Sequence, residues 1–595
     1  MPSFIYSLLI FFARFAQWAL LLGFSTLFFC ASVQAKNSSI PTVMLIAPEA
    51  VRGLLTEHFV LPEKLLKGDG ERAQFMRRAQ REISELLATE GYFSSKVILR
   101  AVQHSGTLEV KVEPGVRARV NHVGIEFRGD IAGGEGDRAL RVQQLRADWK
   151  LQAGAFFTAA AWDEAKQELL ARLNARDYAA AQLIESAAQV DPATAGVVLH
   201  VVMDSGARYQ FGELRLGGLV RYPETMLTRY ADFEAGQPYA RQSLLSTQTR
   251  LQNLAQFNSV IVSLDKENTQ LGADGVLIAP VNVQVVEAQS RKVAVGLGYS
   301  TNNGIRSELN YLDLNLAERA WSLNGALILE NNRQQINLGI DTLPNPRGLR
   351  VQWNAGTERT YIQGLETWRD KLGVTRSQRV FGVDNSVGLS WQQERRVPNG
   401  GIRENNQALV LDWRVQRRTV DNPLFPTWGS LSELRVGGTG KVFLSDQDFV
   451  RSYLRHQLWT PLTENDVIST RGEVGYTATA SRLGIPQEYL FRVGGTQTVR
   501  GFAFQSLGFH EGDAVVGGRV MATASVEYTH WINNWGGAIF SDAGDAADTV
   551  EAFRARVGWG GGLRWRSPVG PLALDFARGR SQPSTLVHFS IAVAF

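Results

Sequence analysis

The sequence predicts an α+β amino-terminal half of three strand-helix-helix-strand-strand units. An all-β transmembrane barrel of roughly 16 antiparallel strands follows, at about 19 residues per strand plus connection. Three observations carry this prediction. Residues 1–35 form an apolar leader whose one charge is Arg14. Helical periodicity fades near residue 289 and does not return. The last ten residues, Leu586 to Phe595, alternate, with Val587, Phe589, Ile591, Val593 and Phe595 on one face and His588, Ser590, Ala592 and Ala594 on the other. A period of two is that of a strand with one apolar face.

The leader is greasiest from Trp18 to Cys30 and ends Ala-Ser-Val-Gln-Ala, with small residues Val33 and Ala35 before Lys36. This is the grammar of a signal peptide spanning 1–35, with an uncleaved anchor as the rival. Phe29 stands where a lipoprotein acceptor at Cys30 would need a small residue. Cys30 is the sole cysteine, so a mature chain has no disulfide and no cysteine metal site. A net charge of +4 over 595 residues gives no reason to expect a nucleic-acid partner. Glycine is abundant (57) and tryptophan frequent (14), which suits strands with small residues toward a crowded lumen and rings at lipid interfaces.

The first half repeats loosely, in units assigned to 36–116, 117–205 and 206–288. In the first, Arg72 to Thr89 is helical, Ser95 to Val102 is a strand and Leu108 to Val112 pairs back. In the second, Trp162 to Ala175 is helical, Tyr178 to Leu183 follows and Val197 to Met203 returns. In the third, Tyr209 to Leu216 is a strand and Pro223 opens a helix where proline is tolerated. Arg241 to Ala255 is its second helix, with Leu244, Leu245, Leu251 and Leu254 as the apolar stripe. Phe257 to Leu264 and Val276 to Val286 close the unit. Each last helix turns into a strand through an aromatic corner: Gly91-Tyr92-Phe93-Ser94, Arg176-Asp177-Tyr178-Ala179 and Ala255-Gln256-Phe257-Asn258.

Residues 289–595 read as the barrel. Val293, Val295, Leu297 and Tyr299 alternate with Ala294, Gly296, Gly298 and Ser300. Leu563 and Trp565 alternate with Arg564 and Arg566, and Leu572, Leu574 and Phe576 with Ala573, Asp575 and Ala577. A soluble sandwich shows the same pattern one strand at a time. The export signal and roughly 300 residues with hardly any helix favour the barrel.

One stretch of about 40 residues breaks the strand rhythm, between the strands near Val467–Tyr476 and Met521–Tyr528. Its centre runs Phe491-Arg492-Val493-Gly494-Gly495-Thr496-Gln497-Thr498-Val499-Arg500-Gly501-Phe502. This is too apolar for a disordered linker, and Arg500-Gly501 has the form of a tight tip that plugs a cavity.

Val499-Arg500-Gly501-Phe502 resembles the sixth extracellular loop signature of the BamA/TamA/FhaC superfamily of barrel transporters. Gly537 to Gly544 resembles that family's following strand with its aspartate, Gly560 to Asp575 the hairpin before the last strand, and Asp421 to Gly429 a mid-barrel segment. The three repeats resemble polypeptide-transport-associated (POTRA) domains, three being the number of the TamA type. By alternation, Asp542, Phe540 and, on the next strand, Glu527 share the lumen face. Arg500 inside a lumen needs a counter-charge, and the resemblance implies Asp542 as first partner, with Glu527 second.

The resemblance further implies a Gram-negative outer-membrane location with POTRA domains in the periplasm. It implies a weak seam where the first strand (about 292–300) meets the last (586–595), involving Gly296, Gly298, Ala592 and Phe595. Its expected partners are outer-membrane lipid, unfolded outer-membrane or autotransporter clients and an inner-membrane-anchored TamB-like protein.

Gly558-Trp559-Gly560-Gly561-Gly562 lacks the helix that a dinucleotide loop needs. Arg128-Gly129-Asp130 is a chance string. Neither a metal, a cofactor nor an enzyme activity is expected. The rival functions are a two-partner secretion transporter exporting one substrate, BamA itself, and a passive porin or receptor.

Overall fold

The computed structural model describes residues 43–61, 69–101, 108–441, 444–568, 570–580, 582 and 584–591. The leader expectation and the seam residues Ala592 and Phe595 lie outside them.

Three small α/β sheets precede the barrel, each built the same way. Their strands are Val43–Ile46, Lys96–Ala101 and Leu108–Glu113; then Arg119–Arg128, Gln182–Asp191 and Gly196–Asp204; then Tyr209–Gly217, Phe257–Leu264 and Leu277–Glu287. In every sheet the last strand is central, parallel to the first and antiparallel to the middle one. Two helices cover one face. The helix Ala159–Leu173 shows why: Thr158 caps it by accepting from the Ala161 amide, and Trp162, Ala165, Leu169 and Leu173 recur at helical spacing and are buried.

Two local expectations are corrected. Tyr178 does not begin a strand. It is buried in the unit's core and the strand starts at Gln182, because Asp177 takes a left-handed φ of 65° that breaks extension. Leu245 is exposed while Leu244, Leu251 and Leu254 are buried, since adjacent residues on a helix cannot share one narrow face.

The aromatic corners are joints. The carbonyls of Gly91, Asp177 and Gln256 accept from the amides of Ala118, Tyr209 and Ala288, at 2.8, 2.7 and 2.8 Å. Each corner thereby receives the first extended residues of whatever follows it. The last joint receives the barrel: Gln256 Nε2 donates to the Ala320 carbonyl at 2.8 Å, the Tyr230 hydroxyl donates to the Pro344 carbonyl, and Ala320 is buried with the third unit's core.

Sixteen antiparallel strands then close a barrel, from Arg291–Ser300 to Thr585–Ile591. Alternation assigns its faces. Ile539 is 63% exposed while its neighbour Phe540 is 6% exposed, and Leu297 is 74% exposed on the first strand. The outward set (Val293, Val295, Leu297, Ile539, Leu563, Phe576, Val587) is aliphatic and aromatic, as a hydrocarbon-facing surface must be, and carries tryptophans 353, 368, 413, 535 and 559. The inward set is charged and paired: Arg306 with Glu308 and Glu330, Arg333 with Glu358, and Arg369 with Glu394 and Glu488. A soluble sandwich would have the reverse arrangement, with its charges outside.

Candidate functional site

The segment between the strands Asp466–Ala478 and Val520–Ile532 folds back into the lumen instead of projecting from the rim. Phe491, Val493, Val499 and Phe502 are buried there with Met521 and Ala546 of the wall. A short hairpin, Phe509–Glu511 with Ala514–Val516, grips the wall farther round. Glu511 bonds Arg396 and Arg482 at 3.0 Å each, and the Val515 amide donates to the Gln363 carbonyl.

Arg500 ends the inserted tip and is 6% exposed. Its Nε and Nη2 donate to the two Asp542 oxygens at 2.7 and 2.9 Å, and its own amide donates to Asp542 Oδ2 at 2.9 Å. Nη1 reaches Glu527 at 2.6 Å and Asp575 at 3.3 Å. The guanidinium carbon lies 3.4 Å from the centre of the Phe540 ring, and Ser525 Oγ donates to Asp542 Oδ1 at 2.6 Å. Arg564 bonds Glu527 and Asp575 from the same wall.

Two guanidiniums therefore face three carboxylates inside a largely buried site. Coulombic attraction is strong in such a medium, and every carboxylate is satisfied by donors, which is the condition for a buried ion network to hold. The fork of Arg500 matches Asp542 with two parallel bonds, a geometry that lysine cannot supply.

Glycine makes the approach possible. A side chain at Gly558 would collide with the Arg500 carbonyl, one at Gly560 with the Phe540 ring, and one at Gly562 with Asp575. Gly501 has φ +87° and its α-carbon faces the Arg578–Gly579 backbone. The glycine run 558–562, unexplained as a nucleotide motif, is the groove that seats the loop tip.

Of the residues singled out from sequence, Val499, Arg500, Gly501, Phe502, Asp542 and Glu527 come together here. Gly296 and Gly298 lie in the first strand, away from the cluster. Sequence reading missed Asp575, Arg564, Ser525 and His588 as members. All four fall on the lumen face of their alternating strands, but that face alone does not say which of its residues meet the loop.

The strands Gly570–Gly579 and Thr585–Ile591 share a ladder from Leu572–Ile591 to Arg578–Thr585. First and last strands share, among the described residues, one register pair, Ser300 opposite Ser590. The Thr301 hydroxyl bonded to the Phe589 amide at 3.1 Å and an outer Tyr299–Phe589 ring contact add to it.

Residues 287–595 match the family model described as the Omp85 superfamily domain. A curated relative, the outer membrane protein assembly factor BamA of Nitratidesulfovibrio vulgaris, is 25% identical over 347 residues, which is 53% of this chain and 43% of that protein. The crystal structure of BamA from Haemophilus ducreyi lacking POTRA domains 1–3 superposes with a TM-score of 0.65 at 17% identity, over 80% of this chain and all of that one. It shows the shared fold, an α/β periplasmic region followed by the barrel.

Proposed function

Because this chain belongs to the Omp85 superfamily of outer-membrane barrels, we propose that it is a translocation and assembly module subunit of the TamA type. It helps autotransporter-type and other β-barrel clients into or across the outer membrane. The observation that carries this reading is the seam. Among the described residues first and last strands meet at Ser300 opposite Ser590, and this junction, where the two ends of the barrel chain come together, is where the strands would part. An incoming client strand would pair with the backbone groups that such parting frees, the same chemistry by which sheet edges accept added strands.

The three jointed α/β units support the TamA type over a two-partner transporter, for which two are expected. Among the described residues no α-helix follows Gln252. The loop anchored in the lumen speaks against a passive porin. The periplasmic arm would dock an inner-membrane-anchored TamB-like partner and unfolded clients. No nucleotide motif is present, so client folding or that partner would supply the free energy.

A disulfide lock tests the reading. Ser300→Cys with Ser590→Cys, in a Cys30→Ala background, should form a bond that stops autotransporter assembly and is reversed by reductant. Locked barrels that still assemble clients would sink the proposal.

A further inference from the structure

The inserted loop touches both edges of the seam. On the carboxyl-terminal side the Gly501 amide donates to His588 Nε2, in the last strand, at 3.0 Å. On the amino-terminal side Asn302, in the hairpin after the first strand, donates from Nδ2 to Thr496 Oγ1 at 3.0 Å. The intervening turn is preformed, since the Gly494 amide donates to Thr498 Oγ1 at 2.7 Å. A side chain at Gly495 would press on Asn302 Oδ1 and Phe504, so the approach to the first hairpin is close. A cavity of about 330 Å³ lies beside these contacts, with Asn302, Phe504, Val587 and His588 in its lining. Open space therefore borders both bonds.

We infer that residues 496–501 form a latch that spans the seam from inside, with Asn302 and His588 as its positioning residues. This rests on the seam reading above and adds what holds the seam shut. The latch is asymmetric. Arg500 fixes the loop to the strands Val520–Ile532, Trp535–Ala547 and Gly570–Gly579. The far end of the loop is fixed independently, through Glu511–Arg396 and the Asp513 amide on the Asn399 carbonyl. The loop therefore stays in place when the seam opens. His588 keeps the last strand on it, the first hairpin swings away, and Asn302–Thr496 is the bond that parts.

The test measures maleimide labelling of a single cysteine, Ser300→Cys with Cys30→Ala, in the full-length protein reconstituted in lipid nanodiscs. Asn302→Ala and Thr496→Val should each raise the labelling rate about three- to tenfold. The double variant should match either single one, because both remove the same bond. Thr496→Ser, which keeps the hydroxyl, should label as the parent does. His588→Leu should raise the rate, and His588→Gln, which still offers an acceptor, should restore it. Should Asn302→Ala not fold, Asn302→Leu removes the bonding group at similar shape. Unchanged rates in the single variants, a multiplicative double variant, or Thr496→Ser behaving as Thr496→Val would each overturn the latch. A disulfide lock that blocks assembly together with unchanged labelling rates fails the latch alone. A lock without effect on clients fails the seam reading.

Discussion

At Arg500 one side chain holds an otherwise costly arrangement: a loop turned inward, away from water. Removing it leaves Asp542, with no exposed surface, and its neighbouring carboxylates short of a counter-charge. Breaking a buried pair in this way costs about 3–5 kcal/mol. Arg500→Ala should lower the thermal midpoint of the detergent-purified barrel and expose 491–502 to protease, and Arg500→Lys should recover only part of the loss because it lacks the fork. A midpoint equal to the parent's would contradict the anchoring role. Gly558→Val should reproduce the Arg500→Ala phenotype with Arg500 intact, since it fills the space the Arg500 carbonyl occupies.

The loop signature and its aspartate were legible in the sequence because both are contiguous strings. Asp575 and His588 were not, although each sits on the face that alternation assigns to the lumen. Which lumen residues meet the loop depends on strand register around the wall, and register is a property of pairing across the sheet, not of any one strand.

At the scale of elements, the repeated joint is the device that turns three weakly related units into one arm. The aromatic corners could be read from sequence. What each corner does could not, because the bond is made by a backbone carbonyl to a segment some thirty residues away. The string Arg128-Gly129-Asp130, set aside as chance, belongs to a joint: Asp130 bonds Arg138 and Arg208 at 3.2 Å each and accepts from the Tyr178 hydroxyl at 3.1 Å.

Burial, reinforced by that bond to Asp130, pushes the Tyr178 phenol up to about 12. A phenol ionises near pH 10 in the unfolded chain. The folded state therefore keeps a proton that the unfolded state has lost. The stability this provides is complete below about pH 10 and disappears as the pH rises through about 12. Hydrogen exchange of 159–204 should accelerate across that window, and Tyr178→Phe should flatten the dependence. An unchanged slope in the variant would assign the alkaline loss elsewhere. At the last joint, Gln256→Ala removes the bond to the Ala320 carbonyl and leaves the third unit folded. Its effect should appear as a wider spread of distances between spin labels on the arm and the barrel, with no change in helix content.

For the whole molecule, polarity is inverted relative to a soluble protein. Paired arginines and glutamates line the inside and aliphatic residues cover the outside, so hydrocarbon is the solvent that this surface fits. That inversion follows from alternation together with the expected export signal, and the strand number followed from length alone. The seam between first and last strands was expected from the family resemblance. Gly296 and Gly298 are paired along the second strand in an unbroken ladder.

The seam as the moving part is the claim on which the functional account turns. Spin labels replacing Ser300 and Ser590 in nanodisc-embedded protein, with distances recorded before and during addition of an unfolded autotransporter barrel, test it most directly. A single short distance at rest that gains a long component while client is bound, and loses it once the client has folded, is the predicted result. A distance that stays short throughout successful client insertion would contradict the account.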